Sequence, residues 1–289
     1  MDIGVVFPQT EIGTDSSAIR TFAERVEGLG YSHILVYDHV LGIHPEHPEY
    51  RAGYDISHQF HEPFVLLSHL AAVTSAVRCI TGVLVLPQRG TATVAKQSAT
   101  LDLLSEGRVT LGVGVGWNKP ELEELGYDFS TRGRRIEEQI ALLRALWTEE
   151  VVDYDGEYES ITRAGINPLP MQRPIPIWIG GDAEPVLERV GRLADGWLPR
   201  ADPATVRRQL EIIAEAATTV GRDPGSIDIV PRIDLPSDRE AAIEAVATWT
   251  ELGVEELSVN TMGQGFDRPS QHVDALEGVR DWFDAEGNL

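Results

Sequence analysis

Short apolar runs, rich in β-branched residues, alternate with longer amphipathic segments along the whole chain. A short apolar run is typical of a buried parallel strand, and apolar positions that recur roughly every three or four residues are typical of a helix. This pattern predicts strands at 3–7, 34–37, 80–86, 109–115, 175–179, 196–198, 227–231 and 257–260. It predicts helices at 15–29, 62–77, 91–105, 132–148, 184–194, 203–221, 238–252 and 270–286.

The alternation of strands with helices predicts an α/β fold of the (β/α)8 or TIM-barrel type, as a single domain over residues 1–289. An open, doubly wound sheet is the alternative, but residues 7–10 after the first strand lack the glycines of a dinucleotide-binding turn. Two connections are long, 40–61 after strand two and 149–174 before strand five. Long connections in a compact domain usually carry function, so we expect these two insertions to shape the site.

Three glycines and two tryptophans indicate how the barrel is filled. Gly112, Gly114 and Gly116 alternate with period two, which favours a strand with small inward-facing residues over a phosphate-binding loop. Trp178 lies inside a predicted strand, where we expect it to fill the barrel. Trp117 directly follows a strand and is expected to form an exposed aromatic wall for a planar ligand.

Composition narrows the class of protein. The formal net charge of −22 argues against nucleic acid or an anionic membrane surface as a partner. Lys96 and Lys119 are the only lysines, which disfavours a Schiff base, and a single cysteine, Cys79, excludes an intrachain disulfide. No apolar run approaches the ~20 residues that span a bilayer, and the chain starts with a predicted strand instead of a signal peptide. We therefore expect a soluble, cytoplasmic protein that acts on a small molecule.

In a barrel of parallel strands, the residues that follow the strands meet on one face, where such proteins carry out chemistry. Here those residues are, apart from one proline, polar, aromatic or glycine: Gln9, Asp38, His39, Gln88, Arg89, Trp117, Asn118, Lys119, Gly180, Gly181, Asp182, Pro199, Arg200, Arg232 and Asn260. His39 is the best titratable candidate, because imidazole changes charge near neutral pH. Asp38 faces the opposite side of the strand, so the two can divide roles between cofactor and scaffold. The alternative is an ordinary strand end with two solvated side chains.

A second candidate follows the predicted strand at 175–179. The strand ends in Gly180 and Gly181, and Asp182 precedes a helix whose start is marked by Pro185. Free backbone N–H groups at such a helix start bind phosphate well. The carboxylates of Asp182 and Glu184 would repel a phosphate unless they point away, and a capped helix without a ligand is the alternative.

Histidines are concentrated in one region, with seven of the eight between His33 and His69. A metal site is one explanation, but no cysteine assists, and His44 and His47 lie in a proline-rich loop. We therefore expect no metal, and an active-site lid whose imidazoles are solvated or bind substrate. A metal-dependent barrel hydrolase that uses His44, His47, His58 or His61 is kept as an alternative.

An ordered set of segments resembles the luciferase-like monooxygenase superfamily, and in particular its branch of deazaflavin-dependent oxidoreductases that use coenzyme F420. The matching segments are 37–39, 81–87, 95–108, 111–118, 132–134, 146–148, 174–181 and 194–199. The match covers about residues 1–200 in order and spacing, and the last third matches only in layout.

The resemblance implies a (β/α)8 barrel with an insertion before strand five, and it implies roles for several residues. Asp38 would touch the deazaflavin ring system, and His39 would lie near the reactive carbon, where it steadies the substrate or transfers a proton. Gly82 and Val83 match the place where relatives carry a cis non-prolyl peptide behind the ring, with Val85 beside it. Backbone amides of Gly180, Gly181, Asp182 and Ala183 would hold the cofactor phosphate.

The chain also departs from the family. Sugar-phosphate dehydrogenase relatives carry a catalytic glutamate where this chain has Trp117, and they carry later lysines, whereas no lysine follows Lys119 here. A sugar phosphate is therefore not expected as substrate. Trp117, Asn118 and Arg89 are assigned to the substrate. The second acid–base group is not identified; its nearby candidates are Glu62 and Glu121.

The leading interpretation is an F420-dependent oxidoreductase that transfers a hydride between a deazaflavin and a small organic substrate. A monooxygenase that uses flavin mononucleotide (FMN) is the main alternative, and a cofactor-binding protein without turnover is a further one. A homodimer is a family-level expectation. Because the cofactor is anionic and the protein is acidic, Arg51, Arg89 and Arg200 are expected to overcome an unfavourable field.

Overall fold

A computed structural model describes residues 1–51 and 53–284, so Ala52 of the first insertion and the predicted helical residues 285–286 lie outside the described residues. The strands are β1 Asp2–Val6, β2 His33–Val36, β3 Arg78–Thr81, β4 Leu84–Val85, β5 Val109–Gly114, β6 Val152–Asp155, β7 Ser160–Ala164, β8 Ile177–Gly180, β9 Gly196–Leu198, β10 Asp228–Ile229, β11 Arg232–Asp234 and β12 Glu256–Asn260. The α-helices are α1 Ser16–Gly28, α2 Pro63–Val73, α3 Thr91–Leu104, α4 Lys119–Glu124, α5 Arg132–Thr148, α6 Glu184–Leu193, α7 Pro203–Thr219, α8 Arg239–Thr250 and α9 Pro269–Asp284.

Ten of these strands form one parallel sheet in the order β10-β9-β8-β5-β3-β2-β1-β12-β11, with β4 paired to β5. Two barrel strands are each interrupted, as β3 with β4 and as β10 with β11, so the described residues form eight barrel strands. The stretch 228–234 closes the barrel, because β10 pairs with β9 and β11 pairs with β12. The predicted (β/α)8 barrel is confirmed.

The third and seventh strands differ from their predicted form. The third is broken between β3 and β4, where the backbone turns at residues 82–83. The seventh is broken at Val230 and Pro231, because proline has no N–H to donate to a sheet. The Pro231 carbonyl still accepts a hydrogen bond from the Ser258 N–H at 2.9 Å, which holds the stretch against β12.

Two elements outside the predicted strands and helices are present. The insertion 149–174 contains the antiparallel hairpin β6–β7, and the short helix α4 follows β5. Hairpin and helix are largely polar and short, so neither has enough apolar positions to show a period. No helix in the described ranges has both the length and the apolar character needed to cross a membrane.

Apolar side chains form two cores. The larger lies between the strands and the helices around them. The smaller fills the barrel and consists of Val6, Leu35, Ile80, Trp178, Leu198 and Val230. Tyr37, Val83 and Met262 pack against this inner core and are only partly buried, so they form the floor of the barrel mouth. The predicted filling of the barrel by Trp178 is confirmed.

Candidate active site

The strand ends that carry the predicted cofactor residues are neighbours in the barrel. β2, the interrupted strand β3–β4, β5 and β8 follow one another around the sheet. The peptide bond between Gly82 and Val83 is cis, at the place where the family resemblance implies one. A Cβ on Gly114 would lie 2.5 Å from Val83 Cγ2, and one on Gly180 would lie 2.6 Å from Val83 Cγ1. Three consecutive strands therefore approach one another closely around the Val83 side chain because two of them carry glycine.

His39 follows β2 and forms a hydrogen bond with Glu121 of α4. Its Nδ1 lies 2.6 Å from Glu121 Oε2, and the Glu121 side chain is 1% exposed. Because an ionised carboxylate only accepts hydrogen bonds, Nδ1 carries a hydrogen, and Nε2 is the proton acceptor of the neutral imidazole. Among the described residues Nε2 has no hydrogen-bond partner, so it is open to a ligand.

Glu121 is fixed in place by further donors. The backbone N–H groups of Val40 and Leu41 lie 2.8 and 3.3 Å from its Oε1, and Asn118 Nδ2 lies 3.2 Å from its Oε2. Burial raises the pKa of Glu121, but the hydrogen bonds from His39 and the backbone amides outweigh burial and keep the pKa below its usual value. The carboxylate therefore stays ionised and orients the imidazole, and Asn118 supports it instead of facing open solvent.

Aromatic side chains surround the His39 imidazole. The ring centroids of Phe60, Tyr54 and Trp117 lie 4.7, 5.3 and 6.0 Å from its own, each in an edge-to-face arrangement. A cavity of about 80 Å³ is lined by His39, Tyr54 and Phe60 among others. Trp117 is 45% exposed, so the exposed aromatic residue expected at this strand end is found there.

Asp38 takes different partners from its neighbour His39. Arg89 Nη2 donates to Asp38 Oδ1 at 2.7 Å, and the Val85 N–H donates to Oδ2 at 2.9 Å. Burial raises the pKa of Asp38, and the ion pair with Arg89 opposes this effect. Arg89 Nη1 also donates to Glu62 Oε1 at 3.1 Å, so two carboxylates engage its guanidinium. Arg89 therefore links the end of β2 to the start of α2 through its two ion pairs.

The turn between β8 and α6 presents open backbone amides. Ala183, and not Asp182, is the N-cap of α6, and no side chain caps the helix. The predicted helix start at residue 184 is confirmed, and the Asp182 carboxylate takes no part in the cap because its Oδ1 accepts a hydrogen bond from the Arg200 N–H at 3.0 Å. Over the described residues, the N–H groups of Asp182 and Ala183 have no protein acceptor. Gly181 has φ +127°, a backbone conformation that favours glycine.

The histidines of the first insertion are dispersed. Across residues 1–51 and 53–284, no group of three or more His, Cys, Asp or Glu side chains is arranged to hold a metal ion. His61 Nε2 lies 3.1 Å from the Gly13 carbonyl oxygen, and His58 Nδ1 lies 3.1 Å from Asp55 Oδ1. These imidazoles therefore fix the conformation of the loop.

Comparison with known proteins adds a family and a fold. A family model described as luciferase-like monooxygenase matches residues 1–285. An uncharacterised protein of Mycobacterium tuberculosis is 33% identical over 216 residues, which are 74% of this chain and 74% of that protein.

Two solved structures have the same fold. Monooxygenase RslO1 from Streptomyces bottropensis gives a TM-score of 0.80 at 18% identity, over 99% of this chain and 100% of that one. An F420-dependent secondary alcohol dehydrogenase in complex with an F420-acetone adduct gives a TM-score of 0.79 at 18% identity, over 96% and 97% of the two chains.

Proposed function

Because the chain belongs to the luciferase-like monooxygenase family, we propose that it is an oxidoreductase that binds coenzyme F420 and moves a hydride between the deazaflavin and a small organic substrate. The observation that carries the proposal is the continuous arrangement of His39, Val83 and the open amides after Gly180 on neighbouring strand ends. A planar cofactor with a phosphorylated side chain needs a surface to pack on, a group that transfers a proton and backbone amides that bind the phosphate. Val83 and His39 fit the first two needs, and the N–H groups of Asp182 and Ala183, which form the amide seat, fit the third. The F420-dependent alcohol dehydrogenase of the same fold supports this proposal.

The residues after β8 fit a phosphate. The N–H groups of Asp182 and Ala183, which have no acceptor in the described part of the chain, favour an anion at the start of α6, and the helix dipole favours negative charge there. The Asp182 carboxylate is tied to the Arg200 amide, so it does not itself cap the helix. The repulsion expected from Asp182 at the sequence level is therefore reduced.

The chain's own residues supply orientation and proton transfer, and a bound deazaflavin supplies the hydride chemistry. In the oxidation of an alcohol, Nε2 of neutral His39 accepts the hydroxyl proton, and the Glu121 carboxylate stabilises the imidazolium that forms. In the reduction of a carbonyl, the imidazolium returns this proton to the carbonyl oxygen. Tyr54, Phe60 and Trp117 cover the imidazole and limit the access of water.

Titration of the purified protein with F420 and with FMN, followed by fluorescence, tests the proposal. We expect a dissociation constant in the micromolar range for F420 and no binding of FMN. Gly181→Asp should abolish binding, because it places a carboxylate at the amide seat. His39→Ala should leave binding within about twofold of the wild type and remove turnover, because it removes the proton acceptor but not the seat.

Gly221→Asp is the matched control for Gly181→Asp. Gly221 also has a positive φ, +74°, but it lies at the end of α7, away from the mouth. The Gly221→Asp protein should bind F420 like the wild type, and its loss of thermal stability should be comparable to that of the Gly181→Asp protein. A preference for FMN would contradict the proposal and indicate a flavin-dependent monooxygenase, since a deazaflavin does not readily form the oxygen adduct that such enzymes use.

A further inference from the structure

Arg232 is an exposed cation at the mouth of the barrel, and the described residues give it no ion-pair partner. On the seventh barrel strand, Ile233 packs against the outer core and Val230 belongs to the inner core. Since side chains alternate along a strand, Arg232 is on the inner side with Val230. Over residues 1–51 and 53–284, no carboxylate oxygen lies within 4.0 Å of its guanidinium.

The guanidinium is held by a phenol from across the barrel. Arg232 Nη1 donates to the Tyr37 hydroxyl at 2.8 Å. Tyr37 follows β2, and β1 and β12 separate that strand from β11, so the two side chains meet over the interior and not along adjacent strands. Burial raises the pKa of Tyr37, with Arg232 opposing this effect, so the hydroxyl keeps its hydrogen and can donate it to a ligand.

The neighbours of this pair leave its remaining donors open. Asp234 shares the inner side with Arg232 and acts on it electrostatically, but among the described residues it forms no ion pair within 4.0 Å, and its Oδ1 accepts a hydrogen bond from Asn260 Nδ2 at 3.1 Å. Tyr54 is close enough to act electrostatically on both Arg232 and Tyr37, and its ring centroid lies 5.3 Å from that of His39. The Arg232–Tyr37 pair therefore lies at the same mouth of the barrel as His39. Arg89, by contrast, is engaged by the carboxylates of Asp38 and Glu62.

We propose that Arg232 and the Tyr37 hydroxyl form a seat for a carboxylate group of the substrate, so that the substrate class is an organic acid that also carries the reacting carbonyl or hydroxyl group. A guanidinium presents a planar fork of N–H donors that matches a carboxylate, and the phenol adds a further donor. In a protein of net charge −22, an exposed guanidinium at the mouth of the barrel, with no carboxylate oxygen within 4.0 Å among the described residues, can bind an anion. The proposal rests on the proposed function and names its substrate class.

The experiment uses the full chain and two probes that differ only in charge, 3-phenylpropanoate and 3-phenylpropanamide. Ligand-observed NMR gives their affinities with and without saturating F420. We expect the acid to bind the wild type at least about tenfold more tightly than the amide. Arg232→Met should abolish this preference, so that acid and amide bind with about equal affinity. Arg232→Lys should retain part of the preference, and Tyr37→Phe should weaken it severalfold. Arg20→Met removes an exposed arginine from α1 and should behave like the wild type.

Equal affinities of the wild type for acid and amide, or a preference that survives Arg232→Met, would overturn the proposal. Loss of F420 affinity in Arg232→Met with an unchanged preference for the acid would also overturn it, because the arginine would then serve the cofactor. The two proposals fail separately. A protein that does not bind F420 but keeps an Arg232-dependent preference for the acid contradicts only the cofactor assignment. A protein that binds F420 but shows no preference for the acid contradicts only the carboxylate seat.

Discussion

Asp38 and His39 are adjacent in sequence but take different partners. Asp38 pairs with Arg89 inside the protein, and His39 pairs with Glu121 beneath the aromatic side chains. The sequence predicted that the two would divide their roles, because neighbouring residues at a strand end face opposite sides. It named Glu121 beside Glu62 as a candidate acid–base group but could not select it as the partner of His39, since this residue lies 82 positions away on a helix too short to show a period. The sequence does contain a signal for the start of this helix, because Asn118 followed two residues later by Pro120 is typical of a helix N-terminus.

Glu121→Gln tests the pairing at the level of one atom. The Val40 and Leu41 N–H groups hold the glutamine oxygen at the position of Oε1, so the NH2 group faces His39 Nδ1. The imidazole must then accept at Nδ1 and carry its hydrogen on Nε2. That tautomer cannot take a proton from the substrate. We expect kcat to fall by about 100-fold or more, with the Kd of the cofactor changed by less than about twofold.

Glu124→Gln is the matched control, because Glu124 lies on the same helix with a side chain 60% exposed. It should leave kcat unchanged. A Glu121→Gln protein with wild-type kcat would show that the carboxylate does not set the tautomer of His39.

The start of α6 shows how an element can be stable and still leave part of its backbone open. Its N-cap is Ala183, which offers no side-chain acceptor, and Pro185 lies in its first turn. By contrast the N-cap of α7 is Asp202, whose side chain accepts a hydrogen bond from the Thr205 N–H at 3.0 Å. The missing cap leaves the amide seat open to a ligand.

Ala183→Asp fills the missing cap and places a negative charge at the seat. A capping aspartate should stabilise the folded protein by about 1 kcal/mol in the free energy of unfolding. The same change should weaken F420 binding by about tenfold or more, because the carboxylate competes with the phosphate. Ala183→Ser supplies a neutral cap and should retain most of the affinity. Equal affinities of the two variants would contradict a phosphate at this position.

The base of the barrel contains a buried imidazole that should make stability depend on pH. Burial lowers the pKa of His33 from 6.5 to about 3, and Arg78 adds to the effect. His33 Nδ1 lies 2.5 Å from Glu256 Oε1, but this carboxylate already pairs with Arg78. Because the pKa is lower in the folded state than in the unfolded state, the unfolded chain binds more protons between these two values. The free energy of unfolding should therefore fall as pH falls through this window, by about 1.4 kcal/mol per pH unit from this group.

Urea unfolding between pH 4 and pH 7 measures this slope. His33→Gln removes the titrating group and should flatten the slope, whatever its effect on stability at neutral pH. An unchanged slope in the variant would assign the pH dependence to other groups, such as buried His272, whose pKa burial also lowers.

At the scale of the whole molecule, periodicity was enough to predict the barrel and most of its elements. Helix α5 begins and ends at the predicted residues 132 and 148, because its apolar positions recur over more than four turns. The break at Pro231 was not predicted, because a short apolar run shows no sign of which neighbour each half pairs with. Contacts across the mouth, such as Arg232 with Tyr37, depend on closure of the sheet and cannot be found from local pattern.

The excess negative charge of the molecule also affects binding. Of the three predicted arginines, Arg89 is engaged by two carboxylates, and Arg51 donates to backbone carbonyl oxygens of its own loop. Exposed Arg200, next to the amide seat, is therefore the better candidate. Arg200→Gln should weaken F420 binding severalfold at low salt. Salt screens exposed charges, so the difference from the wild type should shrink at about 0.5 M salt. Arg20→Gln removes the same charge from α1 and should not change the affinity. An effect of Arg200→Gln that is independent of salt would contradict an electrostatic role.

The barrel is closed by one stretch of chain that is shared between two neighbours, β9 for its first half and β12 for its second. Neither neighbour pairs with the full length of this stretch, so we expect local opening of the barrel wall to cost the least free energy here. Arg232 lies on this stretch. We therefore expect the wall beside Arg232 to adjust to substrates of different width by a small separation of these strands.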